Sequence, residues 1–213
     1  HDGLGIELEI REGVISQHDV FVREVKITNL RAEDREIRLF YNHDLRINES
    51  DIGDTALWQP YLDGVVHFKH RSYFLFGGST DLGGVDEFTA GYKAFNGHDG
   101  TWRDAEDGSL HSKPIEQGAV DSTIRFRAHL SGGGAALAYY WIIAGDSFED
   151  LEASWRNIRV TGPDHLLDSR SRASHDWGRR WLVGDPNEPG APLLRYDERD
   201  WLSPRVRDLV SRS

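Results

Sequence analysis

Residues 135–145 read AALAYYWIIAG, and this stretch decides the fold. Its apolar side chains fill both sets of alternating positions, so a strand formed here would be apolar on both faces. Such a strand fits the middle of a sheet that is covered on both sides. We therefore predict a central strand that lies between two layers.

Residues 3–10 predict a strand with one buried and one exposed face, because apolar side chains alternate there with glutamate and glycine. The positions expected to be buried are Leu4, Ile6, Leu8 and Ile10. Residues 20–30 repeat the pattern, but its phase changes at Arg23 and Glu24. That change predicts a β-bulge between the two halves of the strand.

Further strands are predicted by short alternating or apolar runs that are bounded by glycine, aspartate and asparagine. These runs are residues 36–47, 65–70, 71–79, 87–95 and 122–130. Short strands at regular spacing with such turns are typical of antiparallel sandwiches. The predicted fold class is all-β, a large two-sheet antiparallel β-sandwich (supersandwich) over residues 1–147.

The pattern becomes helical after residue 147. Apolar residues at helical spacing follow an N-cap at Asp146 or Ser147; they are Phe148, Leu151, Trp155 and Ile158. Pro163 begins a second helical stretch with Trp177 and Trp181 on one face, and residues 197–213 predict a last helix. Residues 148–213 are thus predicted to form a short C-terminal helical segment and linker.

The composition of the chain excludes several classes of protein. The 213 residues carry a formal net charge of −11 and include no cysteine. No nucleic-acid partner is expected, because phosphate binding requires a basic face. The lack of cysteine excludes disulfides, thiolate nucleophiles and cysteine-based zinc sites. No membrane partner is expected either, since no run of 18 apolar residues occurs, and a cytoplasmic location is favoured.

Three polar loops, residues 42–56, 100–108 and 117–123, hold the candidate functional residues; the second reads GTWRDAEDG. The candidate carboxylates among them are Asp44, Asp51, Asp54, Asp104, Glu106, Asp107 and Asp121. A glycosidase needs two carboxyls about 5–10 Å apart across a cleft. Carboxylates on tight turns more often bond to backbone amides or to arginine. We interpret all seven as structural, with Arg46 or Arg103 as counter-charge around GTWRDAEDG, and we predict no catalytic residue.

Neither a metal site nor a cofactor is predicted. The acidic loops lack the Asp-x-Asp-x-Asp-Gly spacing of strong calcium loops, and the ten histidines show no paired ligand spacing. No glycine loop follows a parallel strand and begins a helix, as phosphate binding would require. Trp58, Tyr61 and Trp102 could stack on a sugar ring or pack onto the edge of the sandwich.

Residues 40–60, 100–123 and 139–151 together resemble the N-terminal β-domain of prokaryotic glycoside hydrolase family 15 proteins. That family includes glucoamylases, glucodextranases and trehalases. The resemblance extends over roughly residues 4–212, and it departs from the family at Asp176-Trp177, where members usually carry Tyr-Trp. Family members also have a further N-terminal segment with the first strands of the sandwich. The resemblance implies a sandwich that packs on an (α/α)6 domain, which carries two catalytic glutamates outside this chain.

The function implied by this resemblance is that of a non-catalytic domain. Its expected partners are the (α/α)6 catalytic domain and, through the parent protein, an α-glucan or α-glucoside. The parent reaction would be inverting hydrolysis of α-glucosidic bonds by a general acid and a general base. An alternative is a stand-alone carbohydrate-binding β-sandwich module that uses Trp58, Tyr61 and Trp102. A third possibility is a self-contained hydrolase that uses the acidic loops.

Overall fold

The computed structural model describes residues 3–15, 18–94 and 97–169, which form two antiparallel sheets and helical segments. The strands are β1 (Ile6–Ile15), β2 (Val20–Asn29), β3 (Arg35–Asp44), β4 (Asp54–Gln59), β5 (Gly64–Lys69), β6 (Ser72–Thr80), β7 (Glu87–Tyr92), β8 (Ile115–Gly118), β9 (Val120–Leu130) and β10 (Ala135–Gly145). The helix α1 spans Phe148–Thr161, and short 3-10 helices span Ile47–Glu49 and Thr101–Asp107. Among these residues, no helix has both the length and the apolar character needed to cross a membrane.

The two sheets differ in width. The larger sheet has seven strands in the order β1-β2-β10-β6-β5-β4-β8, and the smaller has three in the order β3-β9-β7. Two apolar clusters lie between the sheets, and a third lies between the seven-stranded sheet and α1. The prediction of an all-β, two-sheet antiparallel sandwich followed by helix is confirmed.

The strand β10 has the bounds and the place that its sequence predicts. It pairs with β2 on one side and with β6 on the other, in the middle of the larger sheet. Ala138 and Tyr140 face the three-stranded sheet, whereas Trp141 and Ile143 belong to the cluster beneath α1. The strand is apolar on both faces because both faces are covered.

The β-bulge predicted in β2 is wrong. Arg23 and Glu24 keep an unbroken register with β1 and with β10. The phase of the apolar pattern changes because the covered face changes. Val20 and Val22 lie in the cluster beneath α1, whereas residues 25 and 27 on the opposite face lie between the sheets.

The strand β1 forms as predicted, but most of its apolar side chains are not buried. Ile6 is 6% exposed, whereas Leu8 is 44% and Ile10 57% exposed. By register, Leu8 and Ile10 share the face of Ile27 and Val25, which points towards the three-stranded sheet. That sheet ends at β3 and does not extend over this part of β1. An alternating sequence therefore predicts the strand but not the extent of the layer that covers it.

Residues 112–118 close the side of the sandwich opposite β1. The Ser112 amide donates to the Phe88 carbonyl and the Ala90 amide donates to the Lys113 carbonyl, both at 2.9 Å, so the segment first pairs with β7. It then pairs with β4 of the other sheet as β8. The strands β4 and β8 are absent from the sequence prediction, because both are short and each overlaps one of the segments that read as polar loops.

The helix α1 covers the outer face of the seven-stranded sheet. Its N-cap is Ser147, whose Oγ accepts a hydrogen bond from the Asp150 amide at 3.2 Å. Leu151 and Ile158 are buried on the sheet together with residues 166 and 167 of a following helical segment, 163–169. The predicted face of Trp177 and Trp181 and the predicted last helix lie outside the described residues.

We predict that Leu151→Ala lowers the free energy of unfolding by about 2–5 kcal/mol, because it leaves a cavity beneath α1. Leu151 has no exposed surface. Urea denaturation followed by circular dichroism measures the change.

The matched control is Val160→Ala on the same helix, since Val160 is 87% exposed. Its effect should stay within about 0.5 kcal/mol. Equal effects of the two substitutions would show that α1 does not pack on the sheet.

Candidate functional site

The stretch GTWRDAEDG forms a 3-10 helix that lies on the outer face of the three-stranded sheet. The Thr101 amide donates to Asp121 Oδ2 at 2.9 Å, and its hydroxyl lies 3.0 Å from that of Thr123. Asn42 Nδ2 donates to both threonine hydroxyls, at 3.2 and 3.0 Å. Gly91 on β7 leaves room for this contact, because a Cβ there would lie 2.7 Å from the Thr101 methyl group.

The far end of the 3-10 helix is fastened by arginine. Gly108 ends the helix at φ 86°, and its carbonyl accepts from Arg125 Nη1 at 2.8 Å and from Arg38 Nη1 at 3.1 Å. Arg125 also pairs with Asp86 at 2.6 Å and with Glu87 at 2.8 Å. The Arg125 side chain is only 7% exposed, so these charge-assisted bonds are shielded from water.

The three carboxylates of GTWRDAEDG have separate surroundings. Asp104 pairs with His111 Nδ1 at 2.7 Å, and this contact raises the pKa of His111. Asp107 Oδ1 accepts from the Ser109 amide at 2.9 Å within its own turn. Glu106 is exposed. The structure does not bring the three carboxyls together across a cleft.

The arginines expected as counter-charges contact carboxylates outside GTWRDAEDG. Within residues 3–15, 18–94 and 97–169, Arg46 pairs with Asp51 at 3.1 Å and Arg103 approaches Asp99 at 3.9 Å. His111 takes the position beside Asp104 that the sequence analysis assigned to an arginine.

The first acidic loop is held by two lysines. Lys93 is 4% exposed, and its ammonium contacts Asp44 at 2.9 Å, Asp51 at 3.3 Å and the Leu45 carbonyl at 2.7 Å. The three contacts match the three protons of the ammonium group, and the carboxylates raise the pKa of Lys93 against the effect of burial. Asp54, which is 1% exposed, pairs with Lys69 at 3.2 Å.

Asp121 links the third loop to the second. It is buried at the start of β9, where it accepts from the Thr101 amide, and burial raises its pKa. Its position beneath the 3-10 helix gives the carboxylate a structural role that resembles a cap.

The three candidate aromatic side chains lie in different layers. Trp58 stacks on Phe88 at 4.1 Å between the two sheets. Tyr61 packs on the Trp155 ring of α1 at 5.7 Å and donates to Glu152. Trp102 is 44% exposed on the 3-10 helix, with the Arg103 guanidinium 4.9 Å from its ring. They do not form a common platform.

A buried polar cluster that the sequence analysis missed lies between the sheets. Ser122 Oγ lies 3.0 Å from His43 Nδ1 and 2.8 Å from His67 Nε2. All three residues are buried, at 4% exposure or less. A hydroxyl enclosed in this way cannot meet a substrate, so the arrangement is not a catalytic serine site. The only signal in the sequence is that His43 and His67 fall at inward positions of predicted strands.

Surface cavities among the described residues include two that lie away from this cluster. One of about 420 Å³ is lined by His18, Asp19, Ala144, Gly145, Asp146, Asp150, Ala153 and Ser154. The other, of about 180 Å³, lies beside the first acidic loop at Leu45, Arg46, Ile47, Asn48, Ser72 and Phe74. In the part of the chain that the structure describes, no three histidine or acidic side chains converge as a metal site.

Comparison with known proteins gives a limited result. No protein-family model matches the sequence, and no curated protein does. Among solved structures, the chain is similar to a bacterial glucoamylase in complex with acarbose, with a TM-score of 0.49 and 11% identity. The similarity covers 78% of this chain and 25% of the glucoamylase chain, so this chain spans about a quarter of that protein. At this identity and TM-score, the similarity assigns neither a family nor an activity.

We predict that Arg125→Met lowers the free energy of unfolding by roughly 2–3 kcal/mol, because it leaves Asp86 and Glu87 with one fewer cation in a shielded place. The loss should also leave the Gly108 carbonyl with Arg38 as its single guanidinium partner, so that amides of residues 101–110 exchange faster. Hydrogen exchange followed by mass spectrometry measures this change.

Arg103→Met is the matched control, since Arg103 lies on the same 3-10 helix and its side chain is 51% exposed. Its effect on stability should be below about 1 kcal/mol. A larger effect for Arg103 than for Arg125 would contradict the structural role assigned to the guanidinium of Arg125.

Proposed function

We propose that this chain is a non-catalytic β-sandwich domain of a glucoamylase-type glycoside hydrolase. In this proposal, a catalytic (α/α)6 domain outside these 213 residues hydrolyses α-glucosidic bonds. The sandwich supports that domain and helps to shape the mouth of its active site. The proposal combines the resemblance of three loop-bearing segments to family 15 proteins with the geometry of those loops.

The single observation that carries the proposal is which groups the loop carboxylates contact. Asp44 and Asp51 hold Lys93, and Asp121 accepts from a backbone amide. A pair of catalytic carboxyls would instead face each other across an open, sugar-sized cleft. Carboxylates that are bound to lysine and to backbone groups shape loops, which is the work of a supporting domain.

The placement of the aromatic rings also favours a supporting role over a stand-alone binding module. A sugar platform requires rings on one accessible surface. Trp58 lies between the sheets, Tyr61 lies against α1, and Trp102 lies on the outer face of the smaller sheet.

The proposal predicts that residues 1–213 alone release no glucose from maltooligosaccharides, dextran or trehalose, whereas the longer polypeptide encoded by the same reading frame does so. Glucose release measured by a coupled oxidase assay tests both parts. Inversion at the anomeric carbon, observed by NMR of the first product, would identify the reaction class.

Two results would overturn the proposal. One is glucose release by the 213 residues alone, which would favour a self-contained hydrolase. The other is clear retardation of the same chain on starch or dextran in affinity electrophoresis, which Trp102→Ala abolishes; that would favour a binding module.

A further inference from the structure

The two sheets are joined at one end by a polar bridge within an otherwise apolar interior. His43 on β3 and Ser122 on β9 belong to the smaller sheet, and His67 on β5 belongs to the larger one. The Ser122 hydroxyl lies within hydrogen-bond distance of both rings, at 3.0 and 2.8 Å. The ring centroids are 6.3 Å apart and nearly perpendicular to each other.

The bridge is fully hydrogen-bonded when both rings are neutral, and it loses a hydrogen bond when both are protonated. A serine hydroxyl has one proton to donate, and its oxygen can accept. One ring must therefore donate its N–H to Oγ, and the other must accept the hydroxyl proton. When both rings are protonated, both nitrogens are donors, and the hydroxyl proton has no acceptor among the three groups. Two cations would then lie about 6 Å apart in a medium of low dielectric constant.

Among the described residues, the surroundings offer a protonated ring no hydrogen-bond acceptor on the side away from Ser122. His43 Nε2 and His67 Nδ1 are buried without a hydrogen-bond partner. Phe76 stacks on His43 at 3.9 Å and meets His67 edge-on at 5.4 Å. The β10 side chain in this contact is Tyr140, which lies 5.9 Å from His43.

The charged groups around the bridge are already engaged or are of the wrong sign. Asp54, on the neighbouring strand β4 and on the face of His67, is paired with Lys69. The ammonium of Lys93, which follows β7, opposes a positive charge on His67. On β3, the titratable neighbour is Tyr41, which stacks on Tyr140 at 4.2 Å.

We propose that the His43–Ser122–His67 bridge is an acid-sensitive latch, which joins the two sheets when both rings are neutral and opens this end of the sandwich when they are protonated. The latch is a property of the fold and does not depend on the function proposed above. It makes the domain stable near neutral pH and progressively less stable in mildly acidic solution.

The sign of the pH dependence follows from the burial of the rings. Burial lowers the pKa of His43 well below its ordinary value and that of His67 to about 3. Below a pH of about 6.5, these two histidines bind protons in the unfolded chain but stay neutral in the folded chain. The free energy of unfolding therefore falls as the pH falls. Each histidine then raises the unfolding equilibrium constant by about 10-fold per pH unit, and the two together by about 100-fold.

The test is urea denaturation between pH 6.0 and 4.8. This window lies above the ordinary pKa values of aspartate and glutamate side chains. Asp63 and Asp121, whose pKa values burial raises, act in the opposite direction and are common to all variants. The informative quantity is therefore the difference in slope between variant and wild type. His67→Phe and His43→Phe should each remove about one proton from the uptake on unfolding, and the double variant about two.

The matched control is His129→Gln, since His129 is an exposed residue of the same strand as Ser122. It should leave the slope as it is in the wild type. The proposal would be overturned if the free energy of unfolding of the double variant changed with pH as steeply as that of the wild type.

A second measurement needs no variant and remains decisive if the variants fail to fold. NMR of the imidazole nitrogens in the unmodified protein should show both rings neutral in the folded state down to pH 5. It should also show that, of the two ring nitrogens that face Ser122, one carries a proton and the other does not. Titration of either ring near pH 6.5 with the fold intact would overturn the proposal.

Discussion

The structure depends on one constraint, which is that the middle of the seven-stranded sheet is covered on both faces. The smaller sheet lies on one face and α1 on the other, so the strands between them must be apolar in both directions. The strand β10 meets this requirement from Ala138 to Ile143, and β6 and β2 do so over parts of their lengths. Gly78 shows how closely the two sheets approach, because a Cβ there would lie 2.6 Å from the Phe126 ring.

Much of this arrangement could be predicted from local pattern. The double-faced apolar run gave β10 its bounds, and the spacing of Leu151 and Ile158 gave α1 its buried side. The exposure of Leu8 and Ile10 and the absence of a bulge at Arg23 could not be predicted in the same way. Both depend on how far the three-stranded sheet and α1 extend over their neighbours, which is a property of the assembled layers and not of any one segment.

The polar residues show the same limit. The sequence pointed to the acidic loops and favoured a structural role for their carboxylates, and in the structure Asp44 and Asp51 contact Lys93 while Asp121 accepts from the Thr101 amide. It did not point to Lys93 or Arg125, because both lie far along the chain from the carboxylates that they contact. The buried histidines were missed for a related reason: an inward histidine has a clear meaning only when the residue facing it from the other sheet is known.

The position of β10 has a consequence for how this polypeptide is made. It is the last to be synthesised of the strands that the structure describes, yet it lies between β2 and β6, which are synthesised much earlier. Until β10 has been synthesised, the β1–β2 hairpin and the β4–β5–β6 meander have no strand to join them. The ribosome must therefore release Gly145 before the sheet can assemble, and until then both pieces expose open edges that chaperones can bind.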